Sequence, residues 1–137
     1  MNKSEILAFL NANPTCYMAT LEGNEPRVRA MGMVSAGEDG VIIQTGVYKD
    51  IYKQLSANPN VELCFFNAKD GVQVRVSGAV ELVEDMKLKE EIVVQRPFLK
   101  PIVEKEGYGA IVVYRLKGKA TVWSFATNLE PKTYVRL

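Results

Sequence analysis

A chain of 137 residues with 47% apolar and 24% charged residues reads as one soluble domain, residues 1–137, large enough to bury a core without disulfide staples. A net charge of +1 gives no electrostatic push towards nucleic acid, and no apolar run approaches the length that crosses a membrane. The sequence contains no histidine, which excludes a histidine-dependent hydrolytic triad, a histidine-ligated haem and a histidine-based zinc site within this chain.

Asn2 and Glu5 form a capping box, predicting a helix to about Asn11 that Asn13-Pro14 ends. Thr15 to Leu21 reads as a first strand and Pro26 to Ser35 as a second, with a loop at Ala36–Gly40 before a third strand, Val41 to Thr45. Gly46 breaks that strand, and a short helix carrying Ile51, Tyr52 and Leu55 at helical spacing follows, stopped by Asn58-Pro59. Asn60 to Asn67 is nearly apolar throughout, which predicts a strand covered on both faces or lying at a subunit contact. Val72 to Val83 alternates strictly, with Gly78 where a strand bends. Asp85 caps a helix to about Gln95, ended by Arg96-Pro97, and Phe98 to Glu106 reads as a short helix broken by Pro101. Ala110 to Leu116 and Ala120 to Phe125 are expected to pair as a hairpin across Lys117-Gly118-Lys119, with Thr133 to Leu137 as a last short strand. About six or seven short antiparallel strands with small flanking helices predict a mainly β, Greek-key barrel or strongly curled sheet. Cys16 and Cys64 sit in apolar runs and are read as reduced core residues. The opening Met1–Glu5 is not a signal peptide, so the cytoplasm is the expected compartment.

The chemistry gathers around the third strand and the helix after it. Thr45 brings a hydroxyl, the helix start brings free N–H groups, and Lys49 and Lys53 are one helical turn apart. Helix N-termini attract phosphate through their unpaired N–H groups and the macrodipole. On the second strand Arg27, Arg29 and Met31 share a face. Pairing Ser35 with Val41 would set Arg29 beyond Thr45, facing that helix start. Arginine suits bidentate phosphate contact and lysine serves as a point charge. Taken singly, each of these is equally an ordinary solvated side chain; their convergence points to an anion site. Gln73 takes the polar direction of the long strand, and its amide can both donate and accept.

The order of these segments resembles the pyridoxamine 5′-phosphate oxidase-like FMN-binding split barrels. The segments are Arg27-Val28-Arg29, Gln44-Thr45-Gly46, Lys49 to Lys53, Asn58-Pro59, Gln73-Val74-Arg75-Val76-Ser77-Gly78 and Arg96-Pro97. The resemblance implies a six- or seven-stranded antiparallel Greek-key split barrel that binds FMN. It implies that Arg29 contacts the FMN phosphate, with Arg27 beside it, and that Ala30 and Met31 line the flavin ring. Gln44 and Thr45 would contact ring and phosphate, and Gln73 the ring side. The family's adjacent Arg-Lys in the turn and helix is replaced here by Asp50-Ile51, with Lys49 and Lys53 as the available cations. The resemblance further implies a homodimer with FMN at the interface. Trp123 would reach the flavin from the second subunit or else belong to the core. Arg75 would face the flavin or pair with Glu62. The run Thr133–Leu137 does not carry the arginine and histidine with which the oxidases hold pyridoxal phosphate. The implied branch is therefore nitroimidazole reductase-like. The expected function is an FMN-dependent oxidoreductase with a small-molecule electron donor and acceptor and no catalytic side chain assigned. Alternatives are a non-enzymatic FMN-binding or flavin-sensing stress protein, a deazaflavin F420 in place of FMN, or a split barrel without cofactor.

Overall fold

The computed structural model describes all 137 residues, Met1–Leu137. Helix α1, Lys3–Ala12, opens with the expected capping box: Asn2 Oδ1 accepts from the Glu5 N–H at 2.8 Å and Glu5 Oε1 from the Asn2 N–H at 3.1 Å. The strands are β1 Thr15–Glu22, β2 Glu25–Gly32, β3 Ser35–Gly37, β4 Gly40–Gly46, β5 Asn60–Asn67, β6 Val72–Leu82, β7 Ile111–Leu116, β8 Lys119–Ser124 and β9 Val135–Arg136. Helix α2, Asp50–Ala57, follows β4; α3, Met86–Gln95, and α4, Lys100–Glu106, follow β6. Asp85 caps α3 through the Leu88 N–H. Pro101 lies in the first turn of α4, where its missing N–H has no helical partner to lose, so it starts that helix rather than breaking it.

All strand pairs are antiparallel, and β6 organises them. Its first part lies between β5 and β8, and its last three residues, 80–82, pair with β7 instead. The change of neighbour falls at Gly78, as the sequence predicts for a bend. One half of the barrel runs β2-β1-β5-β6-β8-β9 and the other β6-β7-β4-β3. The main core lies between them and under α1 and α2, with Phe65, Leu63, Met18, Ile43 and Val76 fully buried. A second core of Ile42, Val83, Ile92, Val93, Leu99, Ile111 and Val113 sits under α3 and α4.

Four expectations are corrected. The segment from Pro26 to Ser35 is two strands, not one. Residues 25–32 pair with β1, and the chain changes partner at Met33 and Val34, whose N–H groups donate to the carbonyls of Pro14 and Ile42. Asn11 fixes the new course by a reciprocal pair with the Ala36 backbone, at 2.8 and 3.0 Å. There are nine strands, because this split adds one and the short terminal β9 another. Strands β7 and β8 form no hairpin: β7 lies between β4 and β6, and β8 joins the other half. The two strands follow one another along the same edge of β6, with Gly118 facing Gly78 at the bend, and a Cβ on Gly118 would run into the Ser77 carbonyl oxygen. Strand β5 is covered on one face only; Val61, Leu63 and Phe65 are buried while Glu62 and Phe66 are exposed. Cys16 is buried and Cys64 partly so, and both are free thiols. No helix is long and apolar enough to cross a membrane.

Candidate functional site

A hollow of about 320 Å³ opens where β2, the end of β4, the start of α2 and the turn after α3 meet. Arg29, Ala30, Met31, Gln44, Thr45 and Lys49 all line it, together with Arg96. Its lining holds three cations and no carboxylate. Arg29 arrives there by a route other than the expected one, since β2 pairs with β1 and Arg29 stands opposite Met18. The closed curvature of the sheet, not a β2–β4 ladder, brings it to Thr45.

Arg29 is firmly held. Its Nη1 donates to Thr20 Oγ1 at 2.7 Å and to the Met18 carbonyl at 3.3 Å, and its Nη2 donates to Gln54 Oε1 at 2.6 Å. Arg96, following α3, donates from Nη2 to the Gly32 carbonyl at 2.8 Å and from Nη1 to Gln44 Oε1 at 3.4 Å. Gln44 in turn donates to the Thr45 carbonyl at 3.0 Å. Burial lowers the pKa of both arginines, with the Asp50 carboxylate pulling that of Arg29 back up. Both stay charged, and an anion between them would offset the loss of water. Lys49 is the N-cap of α2, in extended conformation and without a side-chain cap bond, so the residue that lines the hollow leads directly into the first N–H groups of that helix. The Tyr48 ring lies over Gly46, where a Cβ would overlap it, and forms one wall. Tyr48 and Ile102 also line a wider apolar trough of about 680 Å³ between α4 and the Val47–Tyr48 turn.

Four sequence-predicted residues lie elsewhere. Arg27 points to the surface, paired with Glu25 at 2.6 Å and Glu22 at 3.0 Å. Lys53 does not share a helical face with Lys49, because the helix begins only at Asp50; it lines a separate hollow with Glu22 and Gly23. Gln73 and Trp123 stand opposite each other on β6 and β8, on the outer sheet face beside Phe66. Trp123 is half-buried rather than a core residue. Its Nε1 donates to Asn128 Oδ1 at 2.8 Å and its ring meets Phe125 edge-on at 4.8 Å. Arg75 lies 3.9 Å from Glu62 across the β5–β6 pair.

The family model described as Pyridoxamine 5′-phosphate oxidase matches residues 3–128. The chain belongs to the pyridoxamine 5′-phosphate oxidase family. A solved structure of a NimC/NimA family protein from Clostridium acetobutylicum is 32% identical, with a TM-score of 0.79, over 98% of this chain and 92% of that one. A pyridoxamine 5′-phosphate oxidase-related, FMN-binding protein from Nostoc punctiforme is 16% identical, with a TM-score of 0.69, over 96% and 88%. General Stress Protein 26 from Bacillus anthracis is 16% identical, with a TM-score of 0.71, over 98% of both chains. These last two likenesses are of fold alone. No curated protein matches the sequence.

In this member of the oxidase family, Arg96 reads from the sequence as part of Arg96-Pro97, the stop of α3 and one of the segments that carry the resemblance, and the structure brings its side chain to the hollow. The available signal was a cation held at a helix end by the following proline, whose ring fixes the turn into Pro97–Leu99. Gln54 was also passed over, although it occupies the apolar stripe of α2 between Ile51 and Leu55.

Proposed function

We propose that this chain binds FMN and uses it to pass electrons from a reduced nicotinamide or similar donor to a small oxidised acceptor. The single observation that carries the reading is the hollow in which Arg29, Lys49 and Arg96 meet the start of α2 with no carboxylate in the lining. Three cations confined together repel one another, and a phosphate relieves that repulsion while meeting the unpaired N–H groups of the helix. The donor set therefore fits the phosphate end of FMN. Arg29 offers a rigid fork, Lys49 a mobile point charge, and Thr45 a hydroxyl beside the helix start. Ala30, Met31 and Gln44, along one side of the same hollow, would orient the ring, with the Gln44 amide fixed by Arg96 and the Thr45 carbonyl. FMN would supply the electron-accepting and electron-donating chemistry, and the chain's own residues bind and orient it and shield it from water.

The reading includes a homodimer in which Gln73 and Trp123 reach the flavin from the second copy. The outer sheet face that carries them also exposes Tyr17 at 53%, Val28 at 70% and Phe66 at 48%, apolar side chains that a second copy would cover. Ala30 lies on that same face opposite Tyr17, so the hollow adjoins it. The 32% likeness to the NimC/NimA family protein supports the nitroimidazole reductase-like branch. The two free thiols suit a reducing compartment, so we place the protein in the cytoplasm.

The test is an absorbance spectrum of the protein after FMN addition and gel filtration, then anaerobic addition of NADH or NADPH. A flavin spectrum that travels with a dimer and bleaches on reduction is the expected result. Bound flavin that neither nucleotide reduces would leave the binding reading and remove the oxidoreductase one. No retained flavin would remove both, and the mass of any cofactor carried from expression would separate FMN from F420.

A further inference from the structure

Three of the five N–H groups of Arg29 are engaged by the protein itself. The acceptors for Nη1 and Nη2, Thr20 Oγ1 and Gln54 Oε1, stand 2.6 Å apart, and the hydroxyl donates to the amide oxygen. Two linked acceptors thus receive the end of the guanidinium that spans both Nη atoms. Thr20 is 2% exposed and Gln54 5%. Gln54 itself is turned the right way from its other end, because its Nε2 donates to Glu22 Oε2 at 3.4 Å. A buried glutamine in an apolar helix stripe destabilises the fold unless its hydrogen bonds are met, and here they are met by a binding residue, its neighbour and an acid.

We infer that Gln54 and Thr20 form a clamp that positions Arg29 for phosphate, holding the end of its guanidinium so that Nε–H and the second Nη2–H remain for the ligand. Those two N–H groups make up one side of the planar group, the geometry that meets two phosphate oxygens at once. The clamp acts through Arg29; neither clamp residue lines the Arg29 hollow. Its contribution is preorganisation, since an arginine already fixed loses less freedom when the ligand arrives. Glu22, whose pKa is lowered first by the Gln54 hydrogen bond and next by Arg27, links the clamp to the surface pair that Arg27 belongs to.

The inference rests on the reading of the hollow as a phosphate site, and the test separates the two. Gln54→Met keeps the length and apolar packing of the side chain and removes the acceptor. FMN and riboflavin, which lacks the phosphate, are titrated into the wild type, Gln54→Met and Thr20→Val, each checked for folding by thermal melts. The expected result is a loss of FMN affinity of about tenfold in either variant with riboflavin affinity unchanged, the size of one charge-assisted hydrogen bond. In an Arg29→Ala background the same substitution should change FMN affinity by less than about twofold, because coupled residues are not additive. Equal losses for FMN and riboflavin, or an unchanged FMN affinity in a folded variant, would overturn the clamp. A wild type that binds FMN no better than riboflavin would overturn the phosphate site instead.

Discussion

Replacing Gly118 with alanine tests how the two halves of the barrel are joined. Gly118 lies between β7 and β8, where the chain leaves one half and enters the other alongside the bend of β6 at Gly78. An added Cβ would overlap the Ser77 carbonyl oxygen and stand 2.9 Å from its carbonyl carbon and 3.5 Å from the Gly78 nitrogen. All three are backbone atoms of a strand paired on both sides, so no flexible side chain can move away. From the other direction a Cβ on Gly78 would come within 3.1 Å of the Gly118 Cα. The Gly118 carbonyl also accepts from the Leu137 N–H at 2.9 Å, which resists any shift of the chain at this bend. Overpacking of this kind costs about 3 kcal/mol. For a domain of this size that is a fall in Tm of roughly 10 °C. Gly109→Ala is the control, since a Cβ there meets no atom within 4 Å, and it should stay within about 0.5 kcal/mol of the wild type. Urea melts of both variants at one protein concentration, compared at equal m-value, give the numbers. A Gly118→Ala protein within about 0.5 kcal/mol of Gly109→Ala would refute the reasoning.

Arg27→Ala and Lys53→Ala should each leave FMN affinity within about twofold of the wild type, since neither side chain reaches the hollow, whereas Arg96→Ala should weaken it about tenfold or more. Fluorescence titration measures all three, and a tenfold loss in Arg27→Ala would mean that the hollow has been wrongly assigned. Stability should also fall at alkaline pH. Burial raises the Cys16 thiol from its ordinary 9.0 to about 11 and the Tyr114 phenol from 10.0 to about 12, so the unfolded chain gives up these protons first. The stabilisation is complete below about pH 9 and is lost as pH rises through the folded values, by roughly 2 kcal/mol for each group. Thermal melts from pH 8 to 11 should show the decline, reduced in Cys16→Ala and Tyr114→Phe; a flat profile would contradict it.

Much of the fold was legible because its punctuation is local. The Asn2–Glu5 box, the Asp85 cap, the Asn58-Pro59 stop and the strict alternation of β6 each fix an element from its own few residues. The partner changes were not legible, because they depend on groups distant in sequence. Nothing within residues 25–37 says that the Met33 N–H will find the Pro14 carbonyl and the Val34 N–H that of Ile42. Likewise Lys117-Gly118-Lys119 has the composition of a hairpin turn, and only the proximity of Ser77 and Gly78 reveals that its glycine serves a bend shared with β6. Sequence reasoning brought Arg29 to Thr45 and Lys49 through a strand pairing that does not exist; the two cations and the hydroxyl do line one hollow, but barrel curvature assembles them. Lys53 does not share a face with Lys49 because Lys49 is the extended N-cap and the helix starts after it. The places of Arg96 at the hollow and of Gln54 behind Arg29 were not legible from their own neighbours in the sequence. Arg96-Pro97 reads as a helix stop and as one segment of the family pattern, neither of which says that the guanidinium reaches Gly32 and Gln44, and Gln54 finds its partners in Thr20 and Arg29, far away in the sequence.

The central claim is that the hollow between Arg29, Lys49 and Arg96 holds the phosphate of a flavin mononucleotide. Side-by-side titration of the wild-type protein with FMN and riboflavin tests it most directly, because the two ligands differ only in that group. The account predicts that FMN binds at least about tenfold more tightly, and that the advantage shrinks as salt screens the exposed Lys49. Equal affinities for the two flavins would contradict it.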